Sequence, residues 1–137
     1  MRRCFLIALV AALPLFATAQ DAPKPARVVV QVSEADPARW NLVLNNVKNL
    51  QDDLGADKVT IEIVAYGPGI GMLKFDAPTN SRVSEAIKAG VTVNACENTM
   101  RNQKLVRADM NPNVTYVAAG VVQIVKRQQE GWAYLRP

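Results

Sequence analysis

The sequence predicts a three-layer α/β/α fold built on a mostly parallel sheet of about five strands. Short β-branched runs alternate with segments of helical periodicity, which is the order that strand–helix–strand units produce. The first run, "RVVVQV", is almost continuously apolar, as expected for a strand buried on both faces of a parallel sheet. No internal repeat or linker divides the chain of 137 residues, so one domain is expected.

The clearest helix follows the first strand, over residues 37–54. Asp36 can cap its amino terminus, Pro37 suits the first helical position, and Gly55 suits its end. Apolar residues recur at steps of three and four and therefore share one face, namely Trp40, Val43, Leu44, Val47, Leu50 and Leu54.

The remaining elements continue the alternation. "KVTIEIVAYG" predicts the second strand and leads into the loop "GPGIG"; a short helix over residues 80–89 stops at Gly90. "VTVNA" predicts the third strand and leads directly to Cys96, and a helix follows over residues 97–104. After the turn-forming stretch "VRADMNPN", the segments "VTYVA", "GVVQIVKRQQEG" and "WAYLR" predict a strand, a helix and a terminal strand.

The amino terminus, "MRRCFLIALVAALPLFATAQ", has the pattern of a secretory signal peptide. Two arginines precede an apolar stretch that ends at the small residues "ATA", which predicts cleavage after Ala19. Residues 1–19 would then be removed, and residues 20–137 would form one periplasmic or secreted domain. An uncleaved membrane anchor is the alternative, but the apolar stretch is short and Pro14 interrupts it.

Charge and residue inventory exclude several classes of function. Lys and Arg number 16 and Asp and Glu 12, giving a net charge of +4. Loss of Arg2 and Arg3 with the leader would leave 14 against 12, or +2, with no basic cluster to bind nucleic acid. The chain has no histidine, which removes Ser-His and Cys-His catalysis and the usual zinc sites. No cofactor is indicated.

The glycines of "YGPGIG" do not form a phosphate-binding motif. Gly71 is followed by Met72 rather than by Lys and Ser or Thr, and the spacing of Gly67, Gly69 and Gly71 does not match G-x-G-x-x-G. A tight turn that needs positive φ or close backbone approach is therefore expected. Since the carboxyl ends of parallel strands meet at one edge, Gly67 and Gly69 are candidates for a binding rim shared with Cys96.

Cys96 is the candidate functional residue. With Cys4 removed in the leader it is the only thiol, so it has no partner for an internal disulfide. Backbone N–H groups at the helix start, those of Glu97 and Asn98, can stabilise a thiolate, while the charge of Glu97 opposes it. Asn94, Asn98 and Arg101 are possible polar supports. A buried, purely structural cysteine is the competing interpretation.

The chain resembles the DsrE/DsrF-like family, and in particular its small exported members. The resemblance covers nearly all of residues 20–137 and is most specific in "VNACENTMRNQKL" and "ADMNPNVTYVAAGVVQIVKRQQEGWAYLRP". It implies a three-layer α/β fold with a parallel sheet, assembly into small oligomers, and a cysteine at a strand end that accepts sulfur as a persulfide. Cys96 is the position that matches this cysteine.

Two functions of different classes follow. The first is a sulfur carrier or sulfurtransferase with Cys96 as persulfide acceptor and a sulfur donor or acceptor protein as partner. The second is a non-catalytic exported binding or assembly module whose Cys96 is merely packed. A thioredoxin-like oxidoreductase is disfavoured because there is no C-x-x-C. The apolar "GVVQIV" helix and the aromatic terminal strand also predict a homo-oligomer.

Overall fold

The computed structural model describes residues 21–137, and the predicted signal peptide lies outside these residues. The strands are β1 Ala26–Val32, β2 Val59–Ala65, β3 Thr92–Cys96, β4 Thr115–Val117 and β5 Ala133–Leu135. The helices are α1 Pro37–Leu54, α2 Asn80–Lys88, α3 Glu97–Asn102 and α4 Gly120–Gln129. Two 3-10 segments, Gly67–Leu73 and Arg107–Asp109, complete the order. We call the first of them the glycine turn.

The five strands form one sheet in the order β4-β3-β2-β1-β5, and all four strand pairs are parallel. The fold is therefore the predicted three-layer α/β/α architecture. From β1 to β4 the chain advances one strand at a time, and then α4 carries it back across the sheet to β5. Because crossovers of this kind are right-handed, reversing the direction of travel places α4 on the opposite face from α1 and α2.

The two faces of the sheet are unequally covered. The main core lies beneath α1, α2 and the glycine turn, where alternate residues of the strands pack against one another. On the other face, the buried apolar cluster consists of Val29, Val64 and Ile124, bordered by Tyr66 and Trp132. Fewer buried apolar side chains therefore lie between the sheet and α4 than on the other face, and hydrogen-bonded polar side chains occupy part of this layer.

Helix α1 confirms the predicted signals at both of its ends. The Asp36 side chain accepts a hydrogen bond of 2.9 Å from the Ala38 N–H, and Gly55 ends the helix with φ 93°. Its predicted apolar face is buried from Trp40 to Val47. Leu54 was placed on that face but is 44% exposed, because it is the last residue of the helix and lies one turn beyond the half-buried Leu50.

Helix α3 is shorter than the sequence suggested. It ends at Asn102 rather than near residue 104, because Lys104 has a left-handed conformation with φ 54° that a right-handed helix does not allow. The other elements lie within a few residues of their predicted positions.

Candidate functional site

Cys96 is the last residue of β3 and immediately precedes α3. Its side chain is 4% exposed, and Val117 of β4 lies beside it in the sheet register. The cysteine therefore sits at the carboxyl edge of the sheet, as predicted, but below the surface.

This part of the edge is the topological switch point of the sheet. The chain leaves β3 through α3 toward the main core, where Met100 is buried, whereas it leaves β4 through α4 on the opposite face. Adjacent parallel strands whose connections diverge in this way leave a crevice at their carboxyl ends, and open α/β sheets bind their ligands there. Cys96 and Gly120, the first residue of α4, face each other at this point.

The sulfur of Cys96 accepts a hydrogen bond across the switch point, from the first residue of α4. The Gly120 N–H donates to Sγ at 3.2 Å. Burial raises the pKa of Cys96, but the Thr99 hydroxyl and the N–H groups of Gly120 and Thr99 lower it by more. The net result is a pKa below the usual value for a cysteine, because these donors favour the thiolate over the thiol.

Thr99 connects the thiol to the glycine turn. Its hydroxyl oxygen accepts a hydrogen bond of 2.8 Å from the Gly67 N–H, so the hydroxyl proton is free to point at the Cys96 sulfur. Gln103, which follows α3, contacts the same glycine, because its Nε2 donates to the Gly67 carbonyl oxygen at 3.2 Å. The expectation that the glycine loop and the Cys96 turn share one edge is confirmed by these contacts.

The turn itself has the character expected of its glycines. Gly67 has φ 54°, in the left-handed region. Gly69 lies against the end of β1, and a Cβ on it would be 2.3 Å from the Val32 carbonyl oxygen. The prediction of a tight turn with close backbone approach is confirmed.

The predicted polar supports are placed differently from one another. Asn98 and Arg101 are exposed and hydrogen-bond to each other on the surface of α3. The Asn98 N–H donates to the Ala118 carbonyl oxygen at 3.2 Å and is the weakest of the groups that lower the Cys96 pKa. Glu97 begins α3 and is half-buried.

Asn94 belongs to a buried polar cluster rather than to the immediate surroundings of the sulfur. It lies on the same face of β3 as Cys96, and its Nδ2 donates to Glu62 Oε1 at 2.6 Å. Its Oδ1 accepts a hydrogen bond of 2.5 Å from the Thr115 hydroxyl. Gln123 and Arg127 of α4 complete this group, which we call the Glu62 cluster.

Sequence reasoning missed Thr99, Gly120 and Glu62. A threonine three residues after a cysteine at a helix start is a local signal, because helical spacing brings the two side chains together. Glu62 stands out as an acidic residue inside the apolar strand "VTIEIVA", where only a paired carboxylate is tolerated. The contact between Gly120 and Cys96 has no such local sign, since it joins two residues brought together by the strand order.

Residues 21–137 contain neither a metal-binding cluster of the usual ligand residues nor a membrane-spanning helix. No group of three or more His, Cys, Asp or Glu side chains is arranged to hold a metal ion there. None of the helices in this range combines the length and hydropathy needed to cross a membrane.

Solved structures show what the chain is similar to. MTH1491 from Methanobacterium thermoautotrophicum, a protein of unknown function, is 43% identical with a TM-score of 0.78, and the match covers 82% of this chain and 99% of that one. BT1422 from Bacteroides thetaiotaomicron, also of unknown function, is 14% identical with a TM-score of 0.69, covering 85% and 100% of the two chains. The ychN protein from E. coli is 11% identical with a TM-score of 0.67, covering 82% and 99%. The last two similarities establish the fold alone. No family model and no curated protein matches the chain.

Proposed function

The chain belongs to the same protein family as MTH1491, and on that premise we propose that it is an exported DsrE-like sulfur carrier in which Cys96 accepts a sulfur atom as a persulfide. The observation that carries the proposal is the hydrogen bond of 3.2 Å from the Gly120 N–H to the Cys96 sulfur. Burial raises the pKa of this thiol, but Thr99 and Gly120 lower it by more, and these groups favour the thiolate. A cysteine that served only as a small apolar residue would not need them. The resemblance to the DsrE/DsrF-like family supports the same assignment.

The transfer step needs no external oxidant. The Cys96 thiolate attacks the terminal sulfur of a donor persulfide or polysulfide, a new S–S bond forms on Cys96, and the S–S bond of the donor breaks. A persulfide donor leaves as a thiolate and a polysulfide donor as a polysulfide anion one sulfur shorter, so the electrons balance within the exchange. The reverse step on an acceptor thiol would release the sulfur. Gly120 and Thr99 stabilise the negative charge on Cys96 before attack and again when the sulfur departs.

The accompanying proposals concern location and partners. We propose that residues 1–19 are removed on export, so that the carrier works in the periplasm or outside the cell. Its partners would be a sulfur donor or acceptor protein and further copies of the same chain.

The direct test is to load the protein with inorganic polysulfide and to measure its intact mass under non-reducing conditions. We expect the wild type to gain one sulfur atom and to lose it again on treatment with a thiol reductant. Both proteins carry Cys4→Ser, so that Cys96 is the only thiol of the reference protein. The Cys96→Ser variant, which is nearly isosteric, is expected to fold and to gain none. Equal gain in wild type and variant, or no gain in either, would reject the carrier function.

The burial of Cys96 favours one competing function, the non-catalytic binding or assembly module. A side chain that is only 4% exposed is poorly accessible to a donor unless the crevice opens. Reaction with a thiol reagent distinguishes the two. A thiol modified in the native protein supports the carrier, whereas one modified only after denaturation supports the module.

Replacement of Thr99 by valine is expected to slow sulfur loading at neutral pH by roughly three- to tenfold, because one hydrogen bond to the thiolate is lost. The pKa of Cys96 would rise, so the whole pH–rate profile would move toward higher pH. Thr99→Ser keeps the hydroxyl and is the matched control, expected to retain the wild-type profile. Identical profiles for the valine and serine variants would show that the hydroxyl does not act on the sulfur.

Self-association is expected through the outer face of α4. Val121, Val122 and Val125 are 56%, 53% and 47% exposed, while Ile124 points into the sheet. Light scattering at tens of micromolar, on the order of the dissociation constants of weak interfaces, should give a mass above that of the monomer. The double variant Val121→Lys, Val125→Lys should be monomeric, whereas Leu54→Lys, on α1 and similarly exposed, should not differ from wild type. A monomeric wild type would contradict the expectation.

A further inference from the structure

The Glu62 cluster contains the most deeply buried charged side chain in the described part of the chain. Glu62 is 1% exposed and lies on β2, facing α4. Asn94 Nδ2 and Gln123 Nε2 each donate to its Oε1 at 2.6 Å. Arg127 donates from Nε to its Oε2 and forms an ion pair with it. Each carboxylate oxygen is thus occupied by donors, and two of the three donors come from α4.

Helix α4 depends on these contacts for its position on the sheet. Gly120, Gln123, Ile124 and Arg127 recur at steps of three and four and therefore share the face toward the sheet. Ile124 is the buried apolar side chain of the helix, and the cluster it joins is small. One aliphatic side chain fixes the distance of α4 from the sheet better than it fixes the position of the helix along its own axis. The hydrogen bonds of Gln123 and Arg127 to one carboxylate fix both, because they are directional.

The far end of the helix is held as well. The Arg127 guanidinium lies 4.6 Å from the centre of the Trp132 ring, and its Nη1 is 2.9 Å from Glu130 Oε2. Arg27 of β1 donates from Nη2 to the Glu130 carbonyl oxygen at 2.7 Å. The contacts with Trp132 and Glu130 limit the rotation of the Arg127 side chain. Its ion pair with Glu62 therefore also limits movement of α4 along the helix axis.

We propose that Glu62 is a positioning residue for Cys96: by holding Gln123 and Arg127 it sets the register of α4, which keeps the Gly120 N–H directed at the sulfur. Gly120 begins the same helix three residues before Gln123, and its N–H lies 3.2 Å from Sγ. Glu62 acts without touching the sulfur. The inference rests on the proposed function in that it concerns the same thiol.

A positioning role for Glu62 and a simple charge effect predict opposite changes in the pKa of Cys96 when Glu62 is replaced. A carboxylate near a thiolate disfavours the second negative charge, so removing the Glu62 charge would by itself stabilise the thiolate. If Glu62 instead positions α4, its loss moves the Gly120 N–H away and destabilises the thiolate. The direction in which the Cys96 titration moves therefore decides between them.

The test is carried out in a Cys4→Ser background, so that Cys96 is the only thiol whether or not the leader is retained. NMR of cysteine labelled with ¹³C at Cβ follows the titration of Cys96 and requires no reagent to enter the buried site. Hydrogen exchange of the Gly120 amide is measured in the same samples. We expect Glu62→Gln to move the Cys96 midpoint to higher pH and to speed Gly120 exchange by at least about tenfold, since the amide loses its acceptor.

Gln123→Leu guards against misfolding and against the charge effect, because it removes one anchor of α4 and leaves the carboxylate in place. It is expected to shift both readouts in the same direction as Glu62→Gln. The matched control is Gln51→Leu on α1, whose side-chain amide donates to the Ala89 carbonyl oxygen at 2.8 Å on the other side of the sheet. This control should alter neither readout.

Other outcomes overturn the inference. A midpoint that moves to lower pH in Glu62→Gln would show a charge effect, and an unchanged midpoint with a lower melting temperature would show a merely structural role. Failure of the proposed function is recognised separately, by a wild-type thiol that titrates at or above the usual cysteine value or takes up no sulfur. The positioning role is judged from the difference in Cys96 midpoint and Gly120 exchange between each variant and the wild type. That difference can be measured whether or not the protein carries sulfur.

Discussion

Replacing Gly69 with alanine is expected to destabilise the protein by about 3 kcal/mol or more, the largest loss that we expect from adding a single methyl group. The new Cβ would lie 2.3 Å from the Val32 carbonyl oxygen, 2.5 Å from the Val32 carbonyl carbon and 2.7 Å from the Ser33 nitrogen. All three are backbone atoms, so no change of side-chain rotamer can relieve the overlap. The glycine turn must instead move away from the end of β1.

Urea or thermal denaturation measures this loss, which should lower the melting temperature by roughly 10 °C. The matched control is Gly71→Ala, two residues further along the same turn. Its Cβ would meet only the ring of Trp40, at 3.0 and 3.2 Å, and a side chain can shift by a few tenths of an ångström. We expect a clearly smaller loss there. Equal losses in the two variants would show that contact with the β1 backbone is not the cause.

The second large effect is expected at Gly120, where alanine should reduce both stability and thiol reactivity. A Cβ there would lie 3.0 Å from Tyr66 Cβ, 3.2 Å from Val64 Cγ1 and 3.3 Å from Cys96 Cβ. Two of these atoms are attached directly to the backbone, so the start of α4 has to move. Overpacking of this kind costs about 1–3 kcal/mol.

The same movement withdraws the Gly120 N–H from the sulfur, so the pKa of Cys96 should rise and sulfur loading at neutral pH should fall roughly tenfold. Raising the pH should recover most of the rate, because the thiolate then forms without the missing donor. Loading followed from neutral to alkaline pH checks this. A variant that lost stability but kept the wild-type pH profile would show that the Gly120 contact is steric only.

Most of the secondary structure could be predicted because its signals are local. The β-branched run of β1, the Asp36 cap and the Gly55 stop of α1 are each read within a few residues. The strand order could not be predicted, since parallel pairing joins distant segments such as β1 and β5. For the same reason the unequal coverage of the two faces could not be predicted, because it depends on the return of α4 across the sheet.

The residues of the candidate site also fall into two groups, those with a local signal in the sequence and those brought together only by the strand order. Cys96 could be singled out because it is the only cysteine outside the predicted leader and lies at the junction of a predicted strand and helix. Its main backbone donor could not, because Gly120 follows a different strand and meets Cys96 only through the pairing of β3 with β4. Asn94 was expected to support the sulfur, but its side chain hydrogen-bonds to Glu62 and Thr115 instead. Glu62 has a local sign, as an acidic residue inside an apolar strand, but its pairing with Asn94 joins residues 32 apart in the chain and could not be read from either segment alone.

The two outermost strands have a consequence for aggregation. β4 and β5 form the edges of the sheet, and each is only three residues long. A short edge offers few unpaired N–H and C=O groups to a strand from another molecule, so sheet-to-sheet extension between copies is disfavoured. Any contacts between copies are then expected at side chains on the faces of the molecule, and strand addition of the kind that leads to fibres is disfavoured at both edges.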